Sequence, residues 1–157
     1  MFVNLLIYQH ANFHPQGSRC ELRIDLEYNG TPKVVEQQSN NKYFAHYKSF
    51  HLSGPDSYYR LFLRLYDQAS TAGDAMWLTD HTNNRLNGQA FSTYDNDHDL
   101  WIYNCAERFK GGWWWRRCAK AQLNSVWEEY GNEAAEWFPL TGRHSVSFSE
   151  MKVRALS

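Results

Sequence analysis

Between Cys20 and Tyr28 apolar and charged residues alternate without a slip. Cys20, Leu22, Ile24, Leu26 and Tyr28 interleave with Glu21, Arg23, Asp25 and Glu27. A period of two puts one set on each side of an extended chain, so this segment predicts a strand with one buried and one wet face. Asn29-Gly30 follows it, a dipeptide suited to a type I′ hairpin turn. Tyr43–Leu52, rich in aromatics, reads as a second strand. Tyr59–Tyr66 is a third, with Tyr59, Leu61, Leu63 and Leu65 on one face. A last strand runs through Ser145–Val153, where Val146 and Phe148 alternate and Met151 and Val153 follow. Helical periodicity is weak everywhere, and Ala119–Tyr130 is the best candidate for a short helix.

Composition narrows the class. Apolar residues make up 43% of the 157 and charged residues 21%, enough apolar surface to offset chain entropy and exclude a disordered chain. No apolar run approaches the ~20 residues a bilayer span needs. Met1–Tyr8 is apolar but lacks a basic start and a small-residue cleavage site, so it is not read as a signal peptide. Lys and Arg number 16 against 17 Asp and Glu, a formal net charge of -1. Without a basic excess, nucleic acid is not an expected partner. There is no internal repeat, low-complexity tract or linker, so one domain is expected. Aromatic residues reach 17%, which can fill a large core and still leave rings for a binding surface.

From about Ala69 to Trp115 the chain is dense in Gly, Asn, Asp and Ser and has little periodicity. A stretch this long without regular structure is usually functional. Its sharpest feature is Asp95-Asn96-Asp97-His98-Asp99. Carboxylates at alternate positions of an extended backbone crowd like charges, and a hard divalent cation bound through oxygens relieves that. The EF-hand template fails, because Leu100 stands where it needs Gly and Ala106 where it needs a bidentate Glu. With few charged ligands, an affinity in the ~0.1–1 mM class follows. A solvated acidic turn accounts for the same residues, so both readings stand at this stage.

Three cysteines are too few for a disulfide-dense miniprotein. Cys105 and Cys118 are close enough in sequence to pair, which would place the chain in an oxidising compartment. Cys20, on the buried face of its strand, is expected as a core thiol. Inside the Cys105–Cys118 interval Gly111-Gly112 precedes Trp113-Trp114-Trp115 and Arg116-Arg117. Adjacent residues cannot all point inward on a strand, so at least one tryptophan is expected near the surface. Beside arginine it would suit sugar stacking or a protein contact; equally, two of the three could fill the core while the other covers the disulfide.

These residues together resemble a known family. Phe91-Ser-Thr-Tyr-Asp-Asn-Asp-His-Asp99, Asn104-Cys-Ala106, Gly111-Gly-Trp-Trp-Trp115 with Cys118, Leu123-Asn124 and Phe148-Ser-Glu-Met-Lys-Val-Arg154 match the fibrinogen C-terminal domain. Thr71-Ala-Gly-Asp74 and Glu21-Leu-Arg-Ile-Asp-Leu26 also fit. The likeness runs from about Gly17 to Arg154 and is nearest in look to secreted invertebrate fibrinogen-related lectins, ficolins and tachylectins. It implies an α+β fold: a twisted, mainly antiparallel sheet with short helices and a long loop-rich region for calcium and ligand. The sheet would use about 17–68 and 145–154, and the binding part about 69–144. Residues 1–16 diverge, and the family's N-terminal subdomain is not matched, so 17–157 is expected to be a partial domain.

The resemblance also implies the site. Calcium would be held by the side chains of Asp97 and Asp99 and the backbone carbonyls of Trp101 and Tyr103, with Asp95 in support. Cys105 and Cys118 would form a disulfide, and the Arg117–Cys118 peptide would be cis. The N–H groups of Cys118 and Ala119 would face the acetyl oxygen of an N-acetylated sugar, between aromatic walls from Phe109 and Tyr130. Ala119 replaces the His of many members, and Phe109 replaces a Tyr of acetyl-binding ones. Trp127–Trp137 is shorter than usual.

The leading expectation is therefore a secreted, calcium-dependent lectin of innate-immune type, binding acetylated glycans on microbes. The parent protein would be a homo-oligomer that gains avidity. The alternative is a protein-binding module, for a receptor or matrix ligand, with a degraded sugar pocket. No enzyme is expected, since G-x-S-x-G, H-E-x-x-H, Walker A and G-x-G-x-x-G are all missing from the sequence. Among seven histidines, only His98 stands where a metal role could be asked of it. Asn29-Gly30-Thr31 is a glycosylation sequon that a tight turn would explain equally well.

Overall fold

The computed structural model describes residues 5–7, 20–34, 38–77 and 85–156. Most of the 1–16 segment, with His10, His14 and His81, lies outside the described residues. Among the described residues five strands form one sheet: β1 (Leu5–Ile7), β2 (Cys20–Glu27), β3 (Lys42–Leu52), β4 (Leu61–Tyr66) and β5 (Phe148–Ala155). Their order is β1-β5-β2-β3-β4. The β2–β3, β2–β5 and β3–β4 pairs are antiparallel, and β1 runs parallel to β5. The chain thus leaves the sheet after β4, builds the irregular region, and returns so that β5 inserts beside β2.

The alternation of β2 works as its chemistry requires. Leu22, Ile24 and Leu26 are buried with Tyr43, Ala45 and Tyr47 of β3 and Met151 and Val153 of β5. The opposite face carries ion pairs, Arg23–Asp25, Lys152–Asp25, Lys152–Glu150 and Lys42–Glu27. Such half-exposed pairs contribute little each, so burial of the inner face stabilises the sheet.

Several local expectations are corrected. Asn29-Gly30 is not a two-residue turn. The β2–β3 ladder closes at Glu27 and Lys42, leaving 28–41 as the connection. There it is Asn41, at φ 56, that takes the left-handed conformation, and its carbonyl accepts the Tyr28 N–H at 3.1 Å. Tyr59 does not join β4: it and Tyr58 sit at φ 50 and 54 after a 3-10 turn over Pro55–Ser57, and both are exposed. Leu65 at φ 57 breaks the β4 phase and points to solvent, a kink of the kind that blunts an edge strand. Phe148 is exposed as well, because the buried phase of β5 is Ser149, Met151 and Val153, while Val146 is buried ahead of the strand.

Ala119–Tyr130 is not helical. The short helices are α1 (Cys105–Arg108) and α2 (Phe138–Thr141). Instead the buried Gln122 amide donates to the carbonyls of Asn132 and Ala134, at 2.7 and 2.8 Å, and its backbone N–H bonds the Glu136 carbonyl. The backbone N–H of Gln122, which a helix would pair locally, is thus bonded across the loop. All three tryptophans are buried, also against expectation. Trp114 is covered edge-on by Phe91 and donates to the Tyr59 carbonyl at 2.9 Å. Trp115 lies against Phe109 and donates to the Gly111 carbonyl at 3.0 Å. A loop, unlike a single strand, is walled on several sides, so neighbouring rings can all be covered. Cys20 is buried at the end of β2, and burial pushes its thiol pKa up.

Side-chain bonds dock the irregular region onto the sheet. Trp137 Nε1 donates to the carbonyls of Ala72 and Gly73, and the Tyr47 hydroxyl donates to Asp74 at 2.8 Å. Asp74 in turn accepts the N–H groups of Met76 and Trp77. Among the described residues no helix is long and apolar enough to cross a membrane.

Candidate ligand-binding site

The acidic loop is folded by its own polar side chains. Asp97 Oδ1 accepts the Asp99 N–H at 3.0 Å, and Asp99 Oδ1 accepts the Trp101 N–H at 2.7 Å. The second oxygen of Asp99 accepts the Cys105 N–H at 2.8 Å. Thr93 donates its hydroxyl to Asp95, and Ser92 accepts the His98 N–H. Asn104 has three tasks. Its Oδ1 caps α1 by accepting the Glu107 N–H, and its Nδ2 donates to the carbonyls of Thr93 and Tyr94. An Asn before a short helix is a standard N-cap signal, so this role is legible in the sequence.

The Cys105–Cys118 disulfide is formed, with an S–S distance of 2.04 Å, and the Arg117–Cys118 peptide is cis. The two loops are also stitched by backbone. Leu100 N–H donates to the Arg116 carbonyl at 2.8 Å, and Arg117 Nε donates back to the Leu100 carbonyl at 3.1 Å. Leu100 and Arg116 were not among the expected site residues, since backbone groups leave no mark in a sequence. Asp97, Asp99, Trp101, Arg117 and Cys118 are therefore parts of one knot; Tyr103 packs edge-on against Trp101, and Ala119 follows Cys118 in the chain. Phe109 joins the knot through its N–H bond to the Cys105 carbonyl at 2.8 Å. Tyr130 is 70% exposed and its ring packs on His144, not on the Phe109–Trp115 pair.

Electrostatics bear on what this knot can hold. Burial pushes the Asp99 carboxyl up, the two backbone donors pull it down, and the Asp97 charge pushes it up again; the net direction is up. Among the described residues, Asp95, Asp97 and Asp99 form no ion pair with a basic side chain. The Trp101 and Tyr103 carbonyls receive no hydrogen bond from the described chain. Two close carboxylates and two carbonyls without a hydrogen-bond donor thus lie along one stretch of chain, and oxygen groups are the type a hard cation takes. No group of three His, Cys, Asp or Glu side chains converges among the described residues. His98 stacks on Tyr58, ring centroids 3.7 Å apart. On the other side of the knot, the Cys118 and Ala119 N–H groups have no acceptor among the described residues.

Known proteins share this arrangement of sequence and fold. Residues 13–156 match the family described as the C-terminal globular domain of fibrinogen beta and gamma chains. Fibrinogen-like protein A of Apostichopus parvimensis is 34% identical over 148 residues, 91% of this chain and 47% of that protein. Tenascin-R of Gallus gallus is 33% identical over 138 residues, covering 87% of this chain and 9% of its own length. Techylectin-5A of Tachypleus tridentatus is 34% identical over 125 residues, 76% of this chain and 40% of its own. The chain spans less than half the length of these relatives. Among solved structures, the fibrinogen-like globe domain of human ANGPTL6 superposes with a TM-score of 0.71 at 30% identity, covering 89% of this chain and 58% of that one. Lamprey fibrin D-dimer, solved with the peptide Gly-His-Arg-Pro-amide, gives 0.71 at 26% identity, over 89% of this chain and 48% of its own. The chain belongs to the fibrinogen C-terminal domain family.

Proposed function

We propose that this domain is an extracellular, calcium-dependent recognition module that binds acetylated glycans through the Arg117–Ala119 segment. One observation carries the reading: the acidic loop and that segment are a single mechanical unit. Asp99 grips the N–H of Cys105, Cys105 is bonded to Cys118, and Leu100 is paired with both Arg116 and Arg117. Calcium held by Asp97, Asp99 and the carbonyls of Trp101 and Tyr103 would neutralise the two carboxylates and fix the loop. The N–H groups of Cys118 and Ala119 are left to donate to an acetyl oxygen beside the Phe109 ring. Recognition is by binding, without turnover. The disulfide supports an oxidising, extracellular setting, and the likeness to Techylectin-5A, a lectin by name, supports the ligand class. Oligomerisation of a parent protein would supply avidity.

A second reading rests on a different observation. Leu100, Ile102 and Tyr103 form an exposed apolar ridge on the same loop, with Ile102 at 83% exposure. Exposed apolar clusters mark contact sites, and the lamprey relative was solved with a peptide ligand. In that reading the ridge, not the buried tryptophans, contacts a receptor or matrix protein. Retention on acetylated resin decides. The glycan reading expects elution by free acetate and by chelator. Retention unmoved by both, or none at all alongside capture of a protein ligand, rejects it.

A further inference from the structure

We infer that Asn29 is an acceptor for N-linked glycan. Asn29-Gly30-Thr31 is the chain's single Asn-X-Ser/Thr sequence, and X is not proline. The expectation that a tight turn explains it does not hold, because Gly30 lies inside the long 28–41 connection. All three residues are exposed and beyond the last ladder pair of β2. The nearest polar partner of the Asn29 side chain is Asn41 Nδ2, which reaches its Oδ1 at 3.5 Å. Its own Nδ2, the nucleophile of the reaction, has no acceptor among the described residues.

Gly30 has a packing reason of its own. A Cβ there would stand 2.5 Å from the ring and hydroxyl of Tyr28. Thr31 has no such reason: its side chain is exposed and makes no hydrogen bond among the described residues. The Thr hydroxyl is the one part of the motif that structure does not explain and glycosylation does. Beside the sequon opens a cleft of about 520 Å3, lined by Tyr28, Gly30, Thr31, Lys33, Glu128 and His144 among others. It leaves room for the first sugars to lie back against the protein.

In the transfer, Asn29 Nδ2 attacks C1 of an oligosaccharide carried on a polyprenyl pyrophosphate. The N–C1 bond forms, the C1–O bond to phosphate breaks, the lipid pyrophosphate departs, and the Nδ2 proton passes to a base of the transferase. Nothing is oxidised or reduced. The inference rests on the extracellular reading above only in requiring passage through the secretory lumen.

The test is the full chain behind a cleavable secretory leader in insect or mammalian cells. Intact mass is read with and without peptide-N-glycosidase, beside Asn29→Gln, Thr31→Ala and Thr31→Ser. The expected result is added glycan mass that the glycosidase removes, lost in Asn29→Gln and Thr31→Ala but kept in Thr31→Ser. Chains retained in the cell are scored in the same way from the protease-protected microsomal fraction. Lumenal chain of unmodified mass, or added mass that survives Asn29→Gln, overturns the inference. Acetylated-resin retention of the same material is a separate readout, so the proposed function can fail without this site and the reverse.

Discussion

In β2 the residues that decide the structure are apolar, and they take every second position and are all buried. Between Phe91 and Ala119 the deciding residues are Ser92, Asp97, Asp99 and Asn104, whose side chains hold backbone groups that no ladder pairs. The first region is stabilised by area removed from water, a term without direction. The second also buries Trp113, Trp114 and Trp115, but its backbone path is fixed by bonds of about 1 kcal/mol each, dependent on geometry and costly when one partner is lost. Among the described residues, eight buried polar side-chain atoms have no partner. Two, on Tyr66 and Ser149, belong to strands; three, on His98, Trp113 and Arg116, lie between Phe91 and Ala119, and three, on Ser125, Trp127 and Glu136, lie in the irregular chain that follows. None belongs to β2.

Four measurements would break or sharpen this contrast. Ile24→Ala removes a fully buried side chain from the middle of the sheet and should cost about 4 kcal/mol in denaturant unfolding. A loss below 1 kcal/mol would mean that the sheet is not the apolar core described. Replacing Cys105 and Cys118 together by Ser should cost about 3 kcal/mol. Amide exchange should then quicken in 95–119 well before 20–27. Equal acceleration in both would make the two regions one cooperative unit and end the distinction.

Glu136 offers a pH test confined to the irregular region. Burial pushes its carboxyl up to about 7 from an ordinary 4.5, against the pull of Arg143, Lys120 and Lys33. The folded state thus favours the protonated form. Its contribution is full below 4.5 and is lost as pH rises through about 7. Glu136→Gln should raise stability at pH 8, by on the order of 2–3 kcal/mol, and leave it unchanged at pH 4. Parallel melting profiles for the two proteins across that range would remove the group from the account. The smallest effect concerns calcium. At tenfold excess over Kd it should stabilise the native chain by about 1.4 kcal/mol, and Asp97→Asn should abolish that shift in thermal melting. A variant that still responds would place the ion elsewhere.

The sheet was readable because strand burial obeys a local rule, and the errors fell where a single backbone angle overrode it. Leu65 fits the period but not the structure, since a left-handed φ turns it outward. Asn29-Gly30 has hairpin chemistry, but the strands it would join are separated by a longer connection. The acidic cluster and the two cysteines were visible as a motif. Their coupling was not, because it runs through the N–H of Leu100 and the carbonyl of Arg116. Backbone groups are the same in every residue and carry no sequence signal.

By itself the sequence determined which residues are buried in β2, which carboxylates share a loop, and which family pattern they complete. Those properties follow from side-chain type and spacing. Only the tertiary structure decided that three consecutive tryptophans are all buried, that Tyr130 packs on His144, and that the Asp99 loop is bonded to the Arg116–Cys118 segment. Each depends on what a distant segment brings alongside, and residue order does not encode that proximity locally.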